Sequence, residues 1–263
     1  TFTVDPTADT QFEADETVIA TITSASSNGQ TLSVTTPAAT GTITNDDVAS
    51  TYSVDDVSIS EGGLMTFTVT RSGDTQSAQT INFGTSRSPG DTTEADDFTA
   101  TSGPLSFAAG ETSKTFTVQT TADNPKVYEG NETFTVTLRD GATVGAGTVL
   151  DTGTGTIKDD GTGPVPPGTP GNPPSDDDRP SVAISVAPGS MNEDAAGVMT
   201  YTITLSNASD FATTVNYNLS GTAGNTDYTT TGTGSVTIPA GQTSATFTVD
   251  PTADTQFEAD ETV

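Results

Sequence analysis

The 263-residue chain has no cysteine, no histidine and no tryptophan. Without cysteine there is no disulfide and no thiol chemistry. Without histidine there is no imidazole-ligated zinc or copper, and the commonest general base is gone. Most hydrolytic mechanisms lose their usual parts, so the chain is read as a non-enzyme. Basic residues are scarce as well: seven Lys and Arg stand against 35 Asp and Glu, a net charge of -28. That field repels nucleic acid and anionic lipid, so neither is an expected partner. Long apolar runs are missing too, and nothing approaches membrane-spanning length.

Helical periodicity is also lacking. What replaces it is alternation with period two: Met65, Phe67 and Val69; Phe116 and Val118; Phe134, Val136 and Leu138; Val182, Ile184 and Val186; Tyr201, Ile203 and Leu205; Val215, Tyr217 and Leu219. Phe2 and Val4 open the chain in the same way. Threonine fills many intervening positions, where its branched Cβ suits the wet face of a pleated strand. Gly, Asn, Asp and Ser punctuate the runs, so the fold class is all-β, an antiparallel β-sandwich.

Thr246 to Val263 repeats Thr1 to Val18 residue for residue, TFTVDPTADTQFEADETV, so the repeat length is 246 − 1 = 245 residues. Such identity is the mark of a tandem array. It divides the chain into 1–49, the C-terminal part of one domain; 50–161, a complete domain; 162–180, a Pro/Gly-rich linker; and 181–263, the N-terminal part of a domain completed by the equivalent of 19–47 in the next repeat. Seven prolines lie in the linker, which is expected to be an extended, semi-rigid spacer. The link at 48–51 is far shorter, so the two links should differ in stiffness. Adjacent identical units are the expected partners, head to tail, with other chains of a fibre as further candidates. Donor-strand completion by a separate subunit would leave one copy of the duplicated eighteen residues without a slot. The duplication therefore favours a continuous polypeptide of 245-residue units.

Acidic landmarks recur in the same order in both domain types. An early carboxylate follows the first strand, Glu61 or Glu193. A mid-domain Asp precedes an aromatic, Asp97 before Phe98 or Asp227 before Tyr228. An acidic loop carries Asp123, Glu129 and Glu132, or Asp254, Glu258 and Glu261, and Asp9, Glu13 and Glu16 duplicate that loop near the start of the chain. A terminal Asp pair closes the domain, Asp159 and Asp160 or Asp46 and Asp47. The ends of the first and last strands and two loops of a sandwich can converge at one pole. Six or seven carboxylates there suit Ca²⁺, which takes six to eight oxygens in flexible geometry. Asp176, Asp177 and Asp178 read instead as a charge run that solvates the linker.

The order strand, Glu-Gly, DF or DY, D-x-x-x-E-x-x-E-T and GTI-x-(N)DD resembles the Calx-beta domain, an immunoglobulin-like calcium-binding sandwich. The resemblance covers everything except the Pro-rich segment. It implies one calcium site from Glu61, Asp97, Asp123, Glu129, Glu132, Asp159 and Asp160. It implies a second from Glu193, Asp227, Asp254, Glu258 and Glu261 with Asp46 and Asp47 of the adjoining repeat. Asn124 and Pro125 are additional in the 121–131 loop, so the match is weakest at Asp123 and that site should hold fewer ions. The expected protein is a string of such sandwiches, a calcium-rigidified repeat of a giant bacterial adhesin or extracellular fibre at or beyond the cell surface. A carbohydrate- or surface-binding module and the spacer repeats of a large secreted enzyme are the other readings.

Overall fold

The computed structural model describes residues 1–159, 178–255 and 259–263, and every regular element among them is a β-strand. Four strands belong to the first part: β1 (Glu16–Thr21), β2 (Ser26–Ser27), β3 (Gln30–Thr31) and β4 (Ala38–Ile43). β1 and β4 pair antiparallel, with Ile19 opposite Thr40. β2 and β3 meet across Asn28 and Gly29, whose φ of 46° and 75° supply the doubly left-handed turn that an Asn-Gly pair favours. No core forms here: Ile19 is 61% exposed, and Val18, Ile22 and Leu32 are exposed as well.

The middle part is a complete sandwich built from β5 (Thr51–Val54), β6 (Val57–Ser60), β7 (Leu64–Ser72), β8 (Gln79–Ser86), β9 (Ser102–Phe107), β10 (Ser113–Gln119), β11 (Val127–Tyr128), β12 (Glu132–Arg139) and β13 (Val149–Lys158). One sheet runs β10-β7-β5 and the other β6-β13-β12-β8-β9. The inward positions of the alternation are the core. Met65, Phe67, Val69, Val118, Phe134, Val136 and Leu138 are fully buried, while Thr66, Thr115 and Thr117 between such positions are exposed. Phe67 stacks on Phe116 at 5.2 Å, and Phe98 on Phe134 at 4.2 Å. Each such ring withdraws enough apolar surface to contribute about 1.5–3 kcal/mol. β13 crosses the Phe134 ring at Gly155, where a Cβ would lie 2.3 Å from Cζ, so only glycine lets strand and ring share that space.

The last part comprises β14 (Val182–Ala187), β15 (Met199–Leu205), β16 (Ala208–Ser209), β17 (Thr213–Asn216), β18 (Tyr228–Thr230), β19 (Ser235–Ile238) and β20 (Ser244–Pro251). β14-β15-β20-β18 form one sheet and β17-β19 the other, around Ile203, Leu205, Ile238, Phe247 and Val249. Two expectations fail here, for one reason. Val182 and Ile184 keep the strand but are 50% and 57% exposed, because no element among the described residues of 181–263 covers their face. Phe2 and Val4 form no strand, although the same TFTVDP sequence at 246–251 lies in β20 paired to β15.

The 162–180 linker falls largely outside the described residues, but its flanks are defined. The N–H of Asp178 donates to the carbonyl of Asp159 at 3.2 Å. The expectation of an extended, semi-rigid spacer itself falls on residues outside the described ones.

Candidate metal centre at the pole between two sandwiches

β6 and β13 run parallel, with Ser60 opposite Lys158, so the residues that follow them, Glu61 and Asp159, emerge side by side. β12 is antiparallel to β13 and starts at the same pole, where Glu132 faces Ile157. Chain direction and register alone thus gather a carboxylate from each of three strands. Asp97 is carried in by its neighbour: Phe98 stacks on Phe134, and the carbonyl of Asp97 accepts from the Thr121 N–H at 2.8 Å.

The carboxylates form two trios. Oxygens of Asp97, Glu129 and Glu132 lie within 4.8 Å of one another, and so do those of Glu61, Asp159 and Asp178. Asp159 ties the acidic loop to the terminal strand, its Oδ2 accepting from the N–H groups of Glu129 (2.5 Å) and Gly130 (3.0 Å). Asp123 belongs to neither trio but borders one, its N–H reaching Glu61 Oε1 at 3.4 Å. Burial, then the negative charges of Asp159 and Asp97, raise its carboxyl above the usual range. Burial together with Asp123 and Asp97 pushes Glu129 to about 7. Glu132 is pushed to about 9 by burial and by its hydrogen bond and charge repulsion with Asp97. Without a cation this pole holds protons at neutral pH, a sign of carboxylates gathered closer than their charges permit. All six donors are hard oxygens, the ligand set of calcium, and Asp160, expected beside them, lies outside the described residues.

Asp178 is the member that sequence reasoning assigned to solvation. It is 2% exposed, its Oδ1 receives the Lys126 Nζ at 2.5 Å, and its carbonyl accepts from Asn207 Nδ2 of the following sandwich at 2.5 Å. A signal for it existed. Asp178 stands four residues before the first residue of β14, as Asp47 stands four before that of β5. The two sandwiches also touch around it: β11 pairs parallel with β16, and Tyr128 meets Phe211 edge-on at 6.0 Å.

In the last sandwich the same hydrogen bonds recur around Asp227. It takes the N–H of Gly224 three residues earlier, as Asp97 takes that of Glu94, and its carbonyl accepts from Thr252 as that of Asp97 does from Thr121. Asp227, Glu193 and Glu261 line a single cleft of about 440 Å³. The Gly224 N–H and then the Thr226 hydroxyl lower the Asp227 carboxyl. Asp254 is not among the residues lining the cleft, and Glu258 lies outside the described residues.

In the first part, partial burial and then the negative charges of Asp46, Asp9 and Asp74 raise the Asp47 carboxyl, and the last of these belongs to the middle sandwich. Glu13 and Glu16 are exposed. The Glu13 N–H donates to Asn45 Oδ1 at 3.2 Å, as that of Glu129 does to Asp159. Asn45, not Asp46, therefore takes the place of Asp159, which shifts the terminal pairing by one residue.

The family model of the Calx-beta domain matches residues 44–160 and 175–263. Among solved structures, CBD12 from CALX1.2 is 16% identical with a TM-score of 0.35, covering 76% of either chain. The calcium binding domain CBD12 of CALX1.1 is 19% identical with a TM-score of 0.36, covering 76% of this chain and 74% of that one. The apo-form Calx CBD1 domain is 20% identical with a TM-score of 0.33, covering 41% of this chain and 96% of that one. These scores are too low to carry an argument alone. Comparison with curated proteins finds no match. Among the described residues no helix is long and apolar enough to cross a membrane. On the extent of the family-model match, the chain belongs to the Calx-beta family, whose domains are calcium-binding modules that bind or support and do not catalyse.

Proposed function

We propose that this chain is a calcium-rigidified structural repeat of a giant bacterial surface adhesin or extracellular fibre. The observation that carries the reading is Asp178: a buried carboxylate from the start of one sandwich lies within 4.8 Å of Glu61 and Asp159 of the preceding one. Calcium held there would bind both sandwiches at once. In the middle sandwich Asp97, Glu129 and Glu132 would hold a further ion, with Asp123 beside them. Each ion removes repulsion among carboxylates and ties the acidic loop to the ends of β6 and β13, so folding and junction stiffness rise together with calcium. No step of this role requires catalysis.

The partners on this reading are adjacent identical repeats, head to tail. The five-strand sheet β6-β13-β12-β8-β9 supplies the template. β17-β19 resembles its β8-β9 portion alone, and β1-β4 resembles its β12-β13 hairpin alone. Thr222 and Thr262 exchange hydrogen bonds as Thr92 and Thr133 do, so 261–263 sit where the first residues of β12 sit in the complete domain. Setting a β1-β4 hairpin beside β17 would cover Ile19 and the face of Val182 and Ile184 in one step. Small-angle scattering of the 263-residue chain with calcium and with chelator tests the role. A more extended, less variable particle in calcium is expected, and identical profiles would overturn it.

A further inference from the structure

The outer faces of two equivalent sheets take no part in the acidic poles. Thr66, Thr68 and Thr70 of β7 stand opposite Thr117, Thr115 and Ser113 of β10. In the last sandwich Thr200, Thr202 and Thr204 of β15 stand opposite Thr248, Thr246 and Ser244 of β20. Both sheets thus carry the same grid of hydroxyl groups, with rows about 4.8 Å apart and steps of about 6.8 Å along each strand. Propensity explains threonine on a wet strand face, but not the lack of charge there. The chain has 35 acidic residues, yet no charged residue stands at an outward position of β5, β7 or β10. Lys114 shares its side of β10 with Phe116 and pairs with Glu111 at 2.7 Å, while Asp55, at the margin, accepts the Thr68 N–H at 2.7 Å. On β15 and β20 the single outward charge is Asp250, next to the end of β20. The opposite sheet of the middle sandwich differs in both respects. Its outer face bears Arg139 and Lys158, and the segment after β8 roofs it: Thr135 Oγ1 donates to Asp91 at 2.9 Å, and the Thr93 N–H to the Thr133 carbonyl at 3.2 Å.

We propose that this neutral hydroxyl face is a lateral contact of the fibre, and that its occupant is the same face of a second copy of the chain. This rests on the fibre reading above and names where neighbouring chains meet. Two chains that each carry a net charge of -28 repel one another, and like charges brought together in a contact cost several kcal/mol. Chains can therefore approach closely only through a patch free of charge. Threonine is also self-complementary, since its hydroxyl both donates and accepts and its methyl group offers apolar surface. A polysaccharide would meet no exposed ring here: Phe67 stacks on Phe116 and Tyr201 on Phe247 on the inner side of these same strands. Three strands about 4.8 Å apart and nine residues of about 3.4 Å each give one face about 430 Å². That is about half of the roughly 800 Å² per partner in a standard interface, so a lasting contact needs both sandwiches and gains avidity along a repeated array.

The test uses the full chain, in calcium and in chelator. Because the chain has no cysteine, Thr66→Cys and Thr246→Cys each place one thiol on the neutral face, and Thr154→Cys places one on the opposite sheet; all three positions are exposed. A short bismaleimide should join chains of the first two variants about tenfold faster than chains of the third, because only the paired faces raise the local thiol concentration. Sedimentation equilibrium of the wild type should show self-association, which Thr66→Asp combined with Thr117→Asp weakens about tenfold or more. Equal cross-linking of the three cysteine variants, or association unchanged by the two aspartates, overturns the proposal. A wild type that stays monomeric overturns it as well, and pelleting of that monomer with cellulose would assign the face to a neutral polysaccharide. Face-specific cross-linking in a chain whose scattering ignores calcium would support the proposal while removing the calcium reading.

Discussion

The N–H of Asp178 donates to the carbonyl oxygen of Asp159 at 3.2 Å, so the residue after β13 and the approach to β14 touch directly. The following sandwich is held against the middle one by Asp178, Asn207 and the β11–β16 pairing.

Removing residues 163–175 should leave the separation of the two sandwiches unchanged. An extended polyproline spacer would instead shorten by about 3 Å per residue, roughly 40 Å in all. Scattering-derived maximum dimensions of the deletion variant and the parent decide between these outcomes, and a loss of tens of ångströms refutes the direct contact of Asp159 with Asp178.

Calcium should raise the melting temperature of the chain and chelator should lower it. At a hundredfold excess over the dissociation constant, the stabilisation is about 2.7 kcal/mol per site. Replacing Glu129 and Asp159 together by Ala should remove the response and keep a folded sandwich, since neither residue contributes to the apolar core. Circular dichroism melts with and without calcium check both statements.

Acidity supplies a third expectation. Glu129 at about 7 and Glu132 at about 9 are raised above the ordinary glutamate value of 4.5. A carboxyl raised in the folded state stabilises that state fully below its unfolded value and loses this contribution as pH climbs through the folded one. The calcium-free chain should therefore lose stability from about pH 5 to pH 9. With calcium bound, ions replace the protons and the loss should vanish. A chelator-treated protein whose melting temperature rises over that interval would contradict the assignment.

The core makes its own demands. Phe134→Ala deletes the ring that stacks on Phe98 and meets Phe67 edge-on, and should cost about 3–5 kcal/mol. Gly155→Ala should destabilise by about 1–3 kcal/mol through overpacking, since its new methyl group would press into the Phe134 ring. Chemical denaturation of both variants measures these costs, and a Gly155→Ala chain as stable as the parent would show that β13 can shift.

Much of this was legible in sequence because a strand with one buried face writes its period into the residues. Met65, Phe67, Val69, Phe134, Val136 and Leu138 are inward as the alternation requires. What was not legible depends on neighbours. TFTVDP is a strand at 246–251, with Phe247 3% exposed, and not a strand at 1–6, where Phe2 is 77% exposed. The two copies have identical propensity, so pairing with β15 makes the difference. At the pole, repeated acidic landmarks named Glu61, Asp97, Glu129, Glu132 and Asp159, which the fold brings together in two trios. Asp178 was hidden by the company of Asp176, Asp177 and seven prolines, since only the folded path reveals that one of three adjacent carboxylates returns to Asp159. The shift from Asp46 to Asn45 was hidden for a related reason. Counting from the end of a motif misses which side chain receives the loop N–H.

The central claim is that calcium fixes the junction between the middle and last sandwiches, and a distance measurement across that junction tests it most directly. Because the chain has no cysteine, Ala109→Cys and Ser244→Cys place two spin labels on exposed positions without background. Pulsed electron-spin resonance should give one narrow distance distribution in calcium and a broad one in chelator, and Asp178→Ala should broaden it even in calcium. Equal widths in calcium and chelator for the parent chain would contradict the account.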